Sequence, residues 1–298
     1  MIVFFFIIFL VNLMNGIFFI NKEENWTSFD ICAFLRRKFS TKKVGHVGTL
    51  DPFAQGLMIV CLGSATKIIP FLENHNKTYI ATLKLGEETD TLDKTGKVIF
   101  QKGNKDLTIQ QIKEVLASFV GENKQVPPMY SALKKDGIPL YMLARDGIEI
   151  ERKQRDIYIY NLDLISYEYP YLTFKAKVSK GTYIRTLGSD IAKKLNTVGY
   201  LTELTRTNIG DFSVLDAKKV KEVNETDSLP IYKMLSFLQT KVVSLEMEKD
   251  IRNGKKLSLE GDDIILLVNK NNEALAIYEK KDDFYYCKRG LFDANNEV

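Results

Sequence analysis

Two periodicities organise the apolar positions of this chain. Residues 78–85 put Tyr79, Ala81, Leu83 and Leu85 at every second position. Residues 172–178 do the same with Leu172, Phe174, Ala176 and Val178, set against Lys175 and Lys177. Period two predicts half-buried strands. Elsewhere the spacing is helical. Thr27-Ser28-Phe29-Asp30 has the form of a capping box. Ile31, Phe34 and Leu35 follow it, and Arg36, Arg37 and Lys38 suit the C-terminal end of the helix dipole. Thr108 and Gln111 make a second capping box, followed by Ile109, Ile112, Val115, Leu116 and Phe119, with Gly121 as the expected stop. Leu187, Ile191 and Leu195 predict a further helix after a turn at residues 179–182. Strands and helices follow no regular β-α repeat, which favours an α+β fold over a doubly wound one.

The ends differ from the middle. The first 20 residues carry no charge and have the length of a membrane or signal segment, but no basic region precedes them. Near residues 225–240 a polar stretch, Asn224-Glu225-Thr226-Asp227-Ser228, and then Pro230 suggest a boundary. Beyond it Ile264–Val268, Leu275–Tyr278 and Phe284–Cys287 read as short strands, with a turn at Asn271-Asn272.

With 298 residues and 45% hydrophobic content, the chain can bury a large domain and a small one. The 42 basic and 38 acidic residues nearly balance, so net charge alone does not announce a nucleic-acid binder. The cations are clustered, however: Arg36, Arg37, Lys38, Lys42 and Lys43 in one group, and Lys134, Lys135, Arg145, Arg152, Lys153 and Arg155 in another. Such groups neutralise phosphates or form solvated faces. Cys32, Cys61 and Cys287 are isolated and read as thiols in a reducing compartment. With only His46 and His75 there is no histidine-rich centre, and no metal is expected.

Residues 45–67, GHVGTLDPFAQGLMIVCLGSATK, carry the densest chemistry. A glycine-rich polar loop runs straight into the apolar segment 57–62, an arrangement that presents a side chain from a rigid element. Pro52 fixes its own φ and pushes Asp51 out of the helical region. On the residues alone, Asp51 is either a turn starter or a reactive carboxylate.

The segment resembles the signature loop of the bacterial tRNA pseudouridine-55 synthases, the TruB family. Its pattern is roughly G-H-x-G-T-L-D-P-x-A-x-G-x-L, then C-L-G-x-A-T-K. Here it stands as Gly45, His46, Gly48, Thr49, Leu50, Asp51, Pro52, Ala54 and Gly56, then Cys61, Leu62, Gly63, Ala65, Thr66 and Lys67. A second motif, residues 179–186 (SKGTYIRT), matches closely, as does residues 127–134, PPMYSALK.

The resemblance covers roughly residues 16–212 and implies a reaction that needs no cofactor. In it Asp51 is the nucleophile, and Arg185 is its counter-ion. His46 fills the gap left by a flipped uridine, Tyr79 stacks on the base, Tyr183 lines the pocket, and Leu204 contacts the uracil. Lys22 matches a supporting lysine, although the proline and glycine that follow it in the family are absent. If residues 183–185 are extended, Tyr183 and Arg185 point the same way and Ile184 points inward.

The implied fold is a pseudouridine synthase catalytic domain over residues 14–235, with a mixed, mainly antiparallel sheet flanked by helices. It carries an RNA-gripping insertion at about 124–153 and is followed by a PUA-like β-barrel at 241–298. Gly16 to Asn21 resembles the family's first strand, so Met14 is the expected start and residues 1–13 an apolar start-site artefact. The implied partner is the T-arm of tRNA, bound by a cytoplasmic monomer with no protein partner and no membrane. A binding-only RNA chaperone and a guide-dependent relative acting on rRNA are the competing readings.

Overall fold

A computed structural model of the chain describes residues 14–103 and 106–292. The apolar extension at 1–13 lies outside the described residues. The main sheet runs in the spatial order Gly16–Lys22, Gln55–Leu62, Gly199–Ile209, Lys77–Leu85, Tyr171–Val178, Arg155–Glu168 and Gly121–Gln125. Val44–Val47 joins Gln55–Leu62 as a hairpin, and Phe212–Ser213 folds back on Gly199–Ile209. Neighbours are antiparallel except at one seam, where Thr205 lies opposite Gln55 and Arg206 opposite Gly56 in parallel register. The backbones come very close there. A Cβ on Gly56, whose φ is +104°, would sit 2.2 Å from the Arg206 carbonyl oxygen, so only glycine fits.

The period-two strands bury one face. Tyr79, Ala81, Leu83 and Leu85 meet Leu172, Phe174, Ala176 and Val178 in a core closed by the helices Ile109–Ala117 and Ile184–Lys194. The first strand is buried on both sides. Ile17 and Phe19 face one cluster, while Phe18 and Ile20 pack with Ile31 and Leu35 of the helix Ser28–Lys38. A strand covered on both faces reads as a continuous apolar run, which is why GIFFI shows no alternation.

The C-terminal unit is a four-stranded sheet of Gln239–Val242, Ile264–Val268, Ala274–Lys281 and Phe284–Gly290. Its second strand again serves two cores. Leu266 and Val268 join the cluster of Ile17 and Ile59, whereas Ile265 and Leu267 pack with Tyr278 and Tyr285. Among the described residues no helix is long and apolar enough to cross a membrane.

Both capping boxes form, at Thr27 with Asp30 and at Thr108 with Gln111. Three expectations need correction. Gly121 does not stop the second helix, which ends at Ala117, and it opens the next strand at φ +109° instead; Ile109, the residue after the cap, is 54% exposed. Residues 184–185 are not extended, because the helix begins at Ile184 with Tyr183 as its N-cap. The C-terminal region is not strands alone. A helix, Leu245–Arg252, starts at Ser244, whose hydroxyl accepts from the Met247 N–H; of its apolar residues only Ile251 is buried.

Candidate active site

Asp51 sits in the connection between Val44–Val47 and Gln55–Leu62, and its carbonyl accepts from the Ala54 N–H at 3.1 Å. It is therefore a turn residue, as Pro52 requires. Four side chains from elsewhere hold that turn. Lys22, fully buried at the end of the first strand, donates to the carbonyls of Glu23 (3.0 Å), Pro52 (3.1 Å) and Ala54 (2.6 Å). Ser28, first residue of its helix, accepts from the Leu50 N–H at 3.0 Å and donates to the Leu50 carbonyl at 3.2 Å. Arg206 donates from Nε to the Leu57 carbonyl (2.8 Å) and from Nη2 to Gly48 (3.0 Å). Arg185 holds the carboxylate itself. Its Nη2 donates to Asp51 Oδ1 at 3.1 Å, and its Nε lies 2.9 Å from Oδ2.

Arg185 is itself fixed from three directions. Nη1 donates to the Thr91 carbonyl (2.9 Å) and lies 3.3 Å from Asp93 Oδ2, while Nη2 donates to the Tyr130 carbonyl (2.6 Å). Asp93 in turn accepts at Oδ1 from the Thr91 hydroxyl and from both the N–H and the hydroxyl of Thr95. The result is an ordered Asp–Arg–Asp chain in which one cation serves two carboxylates. Gln125 sets the approach of the helix: its side chain accepts from the Tyr183 N–H (2.8 Å) and donates to the Tyr183 carbonyl (3.1 Å).

Burial pushes the Asp51 carboxyl above the ordinary aspartate range; Arg185 pulls it back and Asp93 adds to the upward push. Burial lowers the Lys22 ammonium to about 8, against the pull of Asp51 and Glu24. Burial, helped by the charge of Arg206, also lowers His46, which favours a neutral ring. The Tyr183 phenol is raised, chiefly by burial.

These groups open into a cleft of about 640 Å³, within the range usual for small-ligand sites. Asp51, Tyr79, Tyr183, Arg185 and Leu204 all line it. The Asp51 side chain stays 33% exposed to that space, so its carboxylate is anchored yet reachable. His46 lies just outside this lining, on Val44–Val47, with Nε2 3.2 Å from the hydroxyl of Thr49, which does line it. Lys22 lies beneath the loop and acts on its backbone.

Sequence reasoning missed Asp93, Gln125, Lys77 and Arg206. Asp93 stands in a polar turn, residues 91–96, and Gln125 just ahead of Pro127-Pro128, but neither position signals its distant partner. Among the described residues no three histidine, cysteine or carboxylate side chains gather as metal ligands.

An anchored aspartate thus faces a cleft whose walls include Tyr79 and Tyr183, on a loop that leads into an interior strand of the mixed sheet. Residues 36–184 match the model of the TruB family pseudouridylate synthase, N-terminal domain. The chain belongs to this family.

Among curated relatives, the tRNA pseudouridine synthase B of Clostridium tetani is 40% identical over 271 residues, which is 90% of this chain and 93% of the relative. Its counterpart in Clostridium kluyveri is 44% identical over 245 residues, covering 81% and 84%. Solved structures share the fold at low identity. A chain in a structure of an H/ACA RNP bound to a substrate RNA containing 2′-deoxyuridine superposes with a TM-score of 0.71 and 18% identity, covering 95% of this chain and 87% of that one. A chain in the crystal structure of a Cbf5-Nop10-Gar1 complex gives 0.70 and 20%, covering 94% and 85%.

Proposed function

We propose that this protein converts uridine 55 in the T-loop of tRNA to pseudouridine, with Asp51 as the nucleophile. The observation that carries the reading is the Asp51–Arg185 pair, open to a cleft whose walls include Tyr79, Tyr183 and Leu204. The relatives of similar length that carry the name tRNA pseudouridine synthase B support the choice of substrate.

The reaction breaks the N1–C1′ bond, turns the base and joins C5 to C1′. C5 gives up a proton and N1 takes one, so composition is unchanged and no redox partner is needed. A uridine inside a folded loop must first be flipped out, at a cost of a few kcal/mol. In this reading Tyr79 offers its ring to the exposed base and the neutral His46 ring fills the space left behind. Tyr183 and Leu204 bound the uracil, and Arg185 keeps the Asp51 carboxylate ionised and aimed. Lys22 keeps the loop from shifting that carboxylate.

The catalytic unit spans residues 14–235, its insertion at 124–153 grips the T-arm, and the PUA-like unit at 241–298 adds RNA contact. The enzyme acts as a cytoplasmic monomer. Asp51→Asn is expected to fold, to bind tRNA within about tenfold of the wild type and to form no pseudouridine. Substantial residual product would refute the role given to Asp51.

A further inference from the structure

Among the described residues, two cations in the same cleft have no carboxylate within ion-pair distance. Lys77 and Arg206 are both buried, and both line the cavity that holds Asp51. Arg185 meets two carboxylates, but among the described residues neither Lys77 nor Arg206 comes within 4.0 Å of any. Of the other wall carboxylates, Asp156 lies 4.0 Å from Lys124, and Glu73 acts on Lys77 only through its charge, from beyond ion-pair distance.

Lys77 donates to the carbonyls of Glu73 and His75, each at 2.7 Å, and so has one N–H left. Both cations approach the same face of Gly48, where an added Cβ would lie 3.3 Å from Arg206 Nη1 and 3.8 Å from Lys77 Cε. Lys180, on the same wall, adds a third positive charge. Buried charges are ordinarily paired, because carbonyl dipoles alone replace lost hydration poorly. An ammonium and a guanidinium left together in a cleft wall make a seat for an anion.

We infer that Lys77 and Arg206 form an anion subsite, and that its occupant is one backbone phosphate of the RNA strand flanking the target uridine. This rests on the functional reading above. A flipped nucleotide brings a phosphate on each side to the cleft, and a pair of buried cations in the cleft wall is suited to meet one of them.

The test uses a T-arm hairpin in which each phosphate flanking the target is replaced, one at a time, by an uncharged methylphosphonate. A 2′-O-methyl group on the nucleotide 5′ of that linkage keeps it intact, and a matched phosphodiester carries the same group. Binding is measured over a range of salt in the Asp51→Asn background, with and without Lys77→Gln, which removes the charge but keeps an N–H for the two carbonyls. At one linkage the methylphosphonate should weaken binding about tenfold and lower the slope of log K against log salt by about 0.7. With Lys77→Gln that same replacement should cost only about threefold, since Lys77 shares the phosphate with Arg206, which remains. Equal losses with and without Lys77→Gln would overturn the subsite. Were the glutamine variant not to fold, the scan with native Lys77 decides, since the absence of any sensitive linkage sinks the proposal. The enzyme with native Asp51 is assayed on the unmodified hairpin in parallel. Failure to form pseudouridine there overturns the functional reading as well, whereas turnover without phosphate sensitivity overturns the subsite alone.

Discussion

The Asp51 loop and the insertion proposed at about 124–153 border the same cleft and are built on opposite terms. Side chains from four separate elements or loops converge on the loop, and Lys22, Arg185 and Arg206 among them are buried. The insertion is a short hairpin, Lys134–Lys135 with Ile138–Pro139, and one helix, Leu140–Arg145. Between Ala132 and Asp156 its only buried residue is Leu140. Its exposed side includes Lys134, Lys135 and Tyr141, with the Arg145 guanidinium 5.5 Å from the Tyr141 ring centre.

Regions with few buried contacts open at low cost, whereas a network of buried hydrogen bonds does not. Under the proposed function the contrast separates tasks. Chemistry needs a carboxylate held to within a fraction of an ångström, and capture of a large RNA needs charge and aromatic surface on a segment that can adapt.

The comparison is broken most directly at Arg185. Arg185→Met leaves the buried Asp93 and the half-buried Asp51 without their shared cation, an uncompensated state that costs about 3 kcal/mol. Unfolding midpoints should fall accordingly, and turnover should drop by about a hundredfold or more because the carboxylate is no longer aimed. A variant of normal stability and near-normal rate would mean that the loop is not held through Arg185.

Removing the insertion tests the other side. Deletion of residues 134–147 should raise KM for tRNA by about 10- to 100-fold while changing kcat by less than about threefold, the mark of lost uniform binding. The melting temperature should move by only about a few degrees. An equal fall in kcat would show that the insertion also shapes the chemistry.

The smallest effect concerns Lys22. Its folded pKa of about 8 lies below the ordinary lysine value of 10.5. Below pH 8 both states hold the proton and the folded state bears the full desolvation cost. Between pH 8 and 10.5 the unfolded chain binds more protons, so stability rises with pH. Relative to Lys22→Met, the wild type should gain about 1–2 kcal/mol between pH 8 and 9.5 in urea titrations. A difference that stays flat over this window would show that Lys22 is not desolvated by the loop it holds.

Much of this arrangement is legible in order along the chain, because it depends on neighbours. The capping boxes at Thr27 and Thr108 rest on residues three apart, and the strands around Tyr79 and Phe174 on alternation. Extension at residues 184–185 was a misreading. The glycine turn ahead of Tyr183 leads into a helix, and Gln125, a distant residue, fixes the backbone of its N-cap. The Leu245–Arg252 helix is only 8 residues long and carries three apolar side chains, Leu245, Met247 and Ile251, too few to set a spacing apart from the strands that follow it.

By itself, then, the sequence determined the period of the strands around Tyr79 and Phe174, the starts of two helices, and a loop in which Pro52 bends the chain at Asp51. Its motifs identified the family and named Arg185 as the partner. Only the tertiary structure decided what surrounds that pair. Arg185 is 134 residues from Asp51 and Arg206 is 158 from Gly48. Asp93 reaches Arg185, Gln125 grips Tyr183, and Lys77 stands beside Arg206 only after the strands align. The physical reason is that local structure follows from torsional preference and side-chain spacing over a few residues. The pairing of buried charges is a property of the closed core, where each charged group must find whichever dipole or counter-ion the fold has brought within reach.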